Sequence, residues 1–169
     1  HAATYLAGFA AQVNAERILL YHSYRTALPD RMVVTDVLAG SGNEYSVIRE
    51  AIGQLGGIKR QLTDALGSSV TVDIIADDRQ VLKAVEHLVV AERVDLVVLG
   101  VCGADDGGTN SVGRIPAALI KQQTLNLLII HSKAETKPIG HMMLACDLKD
   151  IGERLPAEAL KTLVTDLGA

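Results

Sequence analysis

Three glycines and the residues beside them are the group in this 169-residue chain most able to do chemistry together. Gly100-Val101-Cys102-Gly103, nine further residues and then Gly113-Arg114-Ile115 connect an apolar strand pattern, Asp95-Leu96-Val97-Val98-Leu99, to a helical one. Without Cβ atoms, backbone amides at such places can approach an anion closely, and a helix start adds partial positive charge where that anion would sit. The chemistry would be phosphate binding. Glycine-rich strand-to-helix turns also arise where unusual backbone angles alone require them, so the spacing has to decide.

The other reactive side chains read more simply. His22 closes a buried strand pattern and is expected to be a hydrogen-bonded structural histidine, and His87 a surface or packing residue. Cys102 and Cys146 follow strand patterns and are expected to be inert thiols, with redox pairing the alternative. No close His/Cys spacing supports a metal, and no general base or nucleophile announces catalysis. Asp77-Asp78 is read as a helix cap and Ser41-Gly42-Asn43 as a turn.

Composition narrows the classes. With 49% hydrophobic and 21% charged residues the chain can bury a sizeable core, which argues against disorder. Sixteen Lys plus Arg against twenty Asp plus Glu give a net charge of -4 without a basic block, so no nucleic-acid partner is expected. Two cysteines are too few for a disulfide-framed secreted domain. The longest apolar runs, such as Leu96 to Val101, fall far short of the roughly twenty residues that span a bilayer. A soluble cytoplasmic protein without a membrane partner is expected. The opening His1-Ala2-Ala3-Thr4-Tyr5 has no signal-peptide pattern and no initiator Met, and suggests a fragment.

Short β-branched and Leu-rich runs alternate with helical spacings, the pattern of parallel strands joined by crossover helices. Leu6, Phe9, Ala10 and Val13 mark a first helix, and Ile18 to His22 a strand buried on both sides. Residues 25–43 form a connection long enough to be a flap or an excursion. Helical spacing returns from Glu44 to Leu66, where Gly53, Gly56 and Gly57 weaken the pattern and suggest a bend. Val70 to Ile75 is a strand, followed by a helix with Val81, Val85, Leu88 and Val89 on its core face. Asp95 to Leu99, the glycine loop, a helix from about Arg114 to Lys121 and a strand Asn126 to Ile130 complete the alternation. A polar linker, 133–140, leads to a strand Met142 to Cys146 and a helix from about Pro156 to Leu167.

The two ends repeat each other. Without gaps, Leu160 falls on Leu6, Leu163 on Phe9, Val164 on Ala10 and Leu167 on Val13, so each core position of the first helix has an apolar counterpart in the last. The strand Met142 to Cys146 then corresponds to one that should precede His1. The expected organisation is a domain over 1–132 lacking its first strand, a linker over 133–140, and the first strand and helix of a second copy over 141–169.

The spacing Gly100-x2-Gly103-x9-Gly113 after Asp95-Leu96-Val97-Val98-Leu99 resembles the nucleotide loop of the universal stress protein family. Ile18-Leu19-Leu20-Tyr21-His22 is similar to that family's second strand, Asn126-Leu127-Leu128-Ile129-Ile130 to its last, and Met143-Leu144-Ala145-Cys146-Asp147 to its first strand with a terminal Asp. The resemblance covers most of the chain. It implies a three-layer α/β sandwich with a five-stranded parallel sheet in the order 3-2-1-4-5, helices on both faces, and self-association through the last strand, Asn126 to Ile130, or with a second copy. It further implies that backbone near Ser23 meets an adenine, that Asp147 lies near adenine or ribose, and that Gly100, Val101, Gly103, Gly113, Arg114 and Ile115 surround the ribose and phosphates.

Two departures bear on the phosphates. The family's Gly-Ser or Gly-Thr ending is Gly113-Arg114 here, and Arg114 either supplies a charged fork or points to solvent. Asp105 and Asp106 would repel a triphosphate unless a cation such as Mg²⁺ intervenes. The implied function is a stress-response regulatory module that binds ATP or AMP, with slow ATP hydrolysis at most. The alternative is an interaction or dimerisation module of the same fold without nucleotide.

In an open parallel sheet the ligand crevice lies beyond the strands' carboxyl ends, where strand order reverses. Asp147 and the glycine loop would meet there, so the pocket needs a first strand. It could come from Met142 to Cys146 of the same chain, from a partner chain, or from residues outside this sequence. The expectation favours a fragment of a two-copy protein.

Overall fold

The computed structural model describes residues 2–24, 43–101, 114–122, 125–143 and 157–168. Helix α1, Ala2–Gln12, is followed by strand β1, Arg17–Ser23, and the long helix α2, Asn43–Leu66. Strand β2, Thr71–Asp77, helix α3, Val81–Ala91, and strand β3, Val97–Val101, follow in turn. Helix α4, Arg114–Gln122, strand β4, Leu127–His131, and helix α5, Ala157–Leu167, complete the order. The linker expected over 133–140 has no helix or strand. Neither do Met142 and Met143, where a strand was expected; its remaining residues lie outside the described ones.

Two helices stop by the same local device. Asn14 and Arg93 adopt left-handed backbone at φ 51 and 53. The next amide in each case reaches back five residues, Ala15 N to Ala10 O at 2.9 Å and Val94 N to Val89 O at 3.0 Å. Carbonyls left open by the helix end are satisfied this way, and the chain is turned directly toward a strand. At the end of α2 Gly67 adopts φ 70, where a Cβ would be strained, and opens a short 3-10 turn, Gly67–Ser69. Gly53, Gly56 and Gly57, by contrast, lie within one helix that runs unbroken to Leu66. Burial of Leu55 and Leu62 on one face of α2 outweighs the weak propensity of those glycines.

The strands are parallel throughout. Arg17 pairs with Thr71 through to Ser23 with Asp77, and Val97 with Leu127 through to Val101 with His131. Mixed helix and parallel strand is the α/β class. The described residues form two sheets of two strands each, β1-β2 and β3-β4, and not the five-stranded sheet expected. The expected fifth strand falls on 142–146, of which 144–146 lie outside the described residues. Helices α1 and α2 pack against each other and α2 covers β1 and β2, while α3 packs on α4. Ala10, Ile18, Leu62, Val70 and Val72 form the buried cluster between these elements, with Leu6, Leu20 and Ile58 closing its sides. Helix α1 also touches β3 and β4, so it lies across both sheets.

One packing expectation changes. On α3 the buried residues are Ala84, Val85 and Leu88, while Val81 and Val89 are only half-buried and Val90 faces solvent.

Candidate functional site

The carboxyl ends of β1 and β2 carry a polar network built by their register. Ser23 sits opposite Asp77, and Tyr21, two residues earlier on the same face, reaches Asp77 diagonally. The Tyr21 hydroxyl donates to Asp77 Oδ1 at 2.9 Å. The Arg79 amide donates to the same oxygen at 3.1 Å, and Arg79 Nε lies 3.6 Å from Oδ2. Asp77 therefore holds the turn after β2 and does not cap α3. The N-cap is Gln80, which makes no side-chain cap bond.

Ser23 is buried, and its hydroxyl donates to the Arg79 carbonyl at 2.6 Å. Arg79 Nη1 stands 3.1 Å from His87 Nδ1. A guanidinium only donates, so Nδ1 is the accepting side of this contact. Burial, and then the bond to Asp77, raise the Tyr21 hydroxyl to about 12. At neutral pH Tyr21 is a donor and not a base. The sequence signal for this network was Asp77-Asp78-Arg79 directly after an apolar strand, which reads equally well as a cap.

The glycine-loop residues divide between two elements. Gly100 and Val101 are the last two residues of β3, opposite Ile130 and His131, and Gly100 is exposed. The strand thus runs two residues past the expected Leu99. Arg114 and Ile115 open α4, Arg114 exposed and Ile115 half-buried, and no acidic residue occupies the first turn. Pro116 sits in that turn, where its missing N–H leaves no helical bond unmade. An exposed guanidinium at a helix N-terminus is an arrangement an anion can use. Gly103, Gly113 and Asp147 lie outside the described residues, as do Cys102, Asp105, Asp106 and Cys146.

A crevice of about 130 Å³ lies elsewhere, between α1 and the segment after β4. Tyr5, Gly8, Phe9 and Gln12 line one side and Thr136 to Ile139 the other. It is smaller than the roughly 300–1,000 Å³ typical of small-molecule sites. Among the described residues no group of three or more His, Cys, Asp or Glu side chains could hold a metal ion. No helix among them is long and apolar enough to cross a membrane.

Comparison with protein-family models, curated proteins and solved structures found no match to the chain.

Proposed function

We propose that the chain is a nucleotide-binding regulatory module of the universal stress protein type, taking ATP or AMP beyond the carboxyl ends of β1 and β3. The observation that carries this reading is an exposed Gly100 at the carboxyl end of β3, together with a helix that starts at Arg114 with no acidic residue in its first turn. Gly100, Val101, Gly103, Gly113, Arg114 and Ile115 would hold ribose and phosphates, Asp147 the ribose or adenine, and backbone near Ser23 the adenine. With ATP, Mg²⁺ would offset Asp105 and Asp106. The full sheet in this reading has five parallel strands in the order 3-2-1-4-5. The module acts in the cytoplasm by changing shape or partner on binding, with ATP hydrolysis slow at most, and engages neither membrane nor nucleic acid.

A second reading, an interaction module of the same fold without nucleotide, is favoured by β4. That strand pairs only with β3 among the described residues, which leaves its other edge available to a second copy.

Thermal unfolding separates the two. At a hundred times its dissociation constant a ligand stabilises the native state by about 2.7 kcal/mol, a rise of roughly 5–10 °C for a chain this size. That rise is expected with AMP, or with ATP and Mg²⁺, and Arg114→Ala should reduce it. No shift with either nucleotide refutes nucleotide binding and leaves the interaction module.

A further inference from the structure

One stripe of α1 holds another part of the chain as it would hold a peptide. Tyr5, Gly8, Phe9 and Gln12 recur at the three- and four-residue intervals that share a helix face. Residues 136–139, which have no helix or strand, lie opposite them. At one end of the stripe Gln12 pairs with the main chain of Ile139, whose N–H donates to Oε1 at 3.0 Å and whose carbonyl accepts from Nε2 at 2.8 Å. A residue presents both groups to one side when its backbone is extended. Pro138 favours the same conformation, because it drives the residue before it out of the helical region. The Gln12 amide is aimed independently of this segment, since Nε2 also donates to the Leu167 carbonyl at 2.8 Å. That bond to α5 leaves one N–H and Oε1 directed at whatever backbone lies alongside. Within the stripe Gly8 allows close approach, for an added Cβ would stand 3.3 Å from Thr136 Cγ2, inside the ordinary carbon contact distance.

The chain's own segment fills this surface incompletely. Thr136, Lys137 and Pro138 are exposed and Ile139 is only half-buried. Lys137 spends its polar groups on a neighbour, its amide donating to the Glu135 carbonyl at 3.0 Å and its ammonium pairing with the Glu135 carboxylate. The crevice of about 130 Å³ stays open between Tyr5 and Phe9 on one side and Pro138 on the other. A cavity of about 150 Å³ lined by apolar side chains accepts a benzene ring, so a space of this size has room for a larger side chain than the segment offers it. Aromatic side chains facing a proline in an extended segment are the elements of proline-peptide recognition, in which the ligand is stiff before it binds. Gln12 adds a contact that reads main chain and not side chain, and so does not depend on the segment being this chain's own.

We propose that the Tyr5-Gly8-Phe9-Gln12 stripe of α1 is a docking site for an extended, proline-containing peptide segment of a partner protein, occupied in the isolated chain by residues 136–139. The partner segment takes over the two main-chain bonds to Gln12, lays its proline against Tyr5 and Phe9, and fills the crevice with a larger apolar side chain. Binding is an exchange, because the tethered segment competes at an effective concentration in the millimolar range. This docking site is separate from the glycine loop and from the edge of β4, and stands whether or not a nucleotide binds.

A fluorophore-labelled synthetic peptide with the sequence of residues 134–141, Ala-Glu-Thr-Lys-Pro-Ile-Gly-His, tests it by anisotropy on the full chain. It is titrated into the unaltered chain and into a variant whose own segment is weakened by Thr136→Gly, Pro138→Gly and Ile139→Gly together. The peptide is expected to bind the variant about tenfold or more tightly than the unaltered chain, where the tethered segment competes. Adding Gln12→Leu to the variant should weaken binding again by about tenfold or more. No binding to the variant, equal affinity for both proteins, or binding indifferent to Gln12→Leu overturns the proposal. Should the variant fail to fold, NMR of the unaltered chain with millimolar unlabelled peptide decides. Saturable shifts of the Gly8 and Ile139 amides together with the Gln12 side-chain amide support the exchange, and unchanged signals at all three overturn it. A concentration-dependent dimer of the unaltered chain in sedimentation, lost with Gln12→Leu, would give the stripe to a second copy's segment and overturn the assignment to a partner protein.

Discussion

Replacing Gln12 by leucine keeps most of the side-chain volume and removes one amide group, and with it three hydrogen bonds. Two tie Ile139 to α1 in a pattern like a rung of a strand ladder. The third runs from Nε2 to the carbonyl of Leu167 at 2.8 Å and joins the last turn of α5 to α1. At roughly 0.5–1.5 kcal/mol net for each bond, and with the site only partly shielded from water, the expected loss is about 2 kcal/mol. For a chain of this length that lowers the melting temperature by roughly 4–8 °C. Urea unfolding measures the loss, and hydrogen exchange localises it to Ile139 and the end of α5. Gln12→Glu sharpens the test, because its carboxylate keeps an acceptor for Ile139 N–H but faces the carbonyls of Ile139 and Leu167. It should be at least as destabilising at neutral pH and recover partly in acid, where a protonated carboxyl can donate again. A loss below about 0.5 kcal/mol for both variants would show that Gln12 holds neither segment in solution.

Leu62 is almost wholly buried in the cluster between α2 and the β1-β2 pair, so Leu62→Ala should cost about 2–5 kcal/mol in urea unfolding. Val90→Ala, on the exposed side of α3, should stay within about 0.5 kcal/mol. Tyr21 supplies a pH dependence, because its folded value of about 12 lies above the ordinary value of 10. The folded state keeps its proton longer, so this contribution is intact below pH 10 and disappears as pH rises toward 12. After allowance for solvent screening it amounts to about 1 kcal/mol or less. Unfolding measured across that range should show the fall in the native chain and not in Tyr21→Phe.

Local patterns were legible because each element carries its own period. The apolar run at 18–22 and the helical spacing of Ile48, Ala51, Ile52, Leu55, Ile58 and Leu62 appear where residue types place them, and the strand expected over 95–99 is present from Val97 on. Boundaries moved where contacts extend an element, as when pairing with Ile130 and His131 carries β3 on through Gly100 and Val101. The Asp77 cap failed for a related reason. The carboxylate is used by Tyr21, which lies 56 positions away in sequence and is brought near by the β1-β2 register. Of the candidate phosphate residues, Gly100, Val101, Arg114 and Ile115 can be placed at a strand end and a helix start. The features that put them there, an apolar run and a helical period, are local.

The order of helices and parallel strands follows from residue type and spacing alone, because backbone propensity and hydrophobic period act over a few neighbouring positions. Tertiary structure decided that β1-β2 and β3-β4 stand as separate pairs with α1 across both. It also decided that Gln12 seizes Ile139, 127 positions away. A glutamine near a helix end and an isoleucine after a proline carry no mark of each other in the sequence. Their hydrogen bonds form only where packing of α1 brings its last turn to the amino ends of the strands.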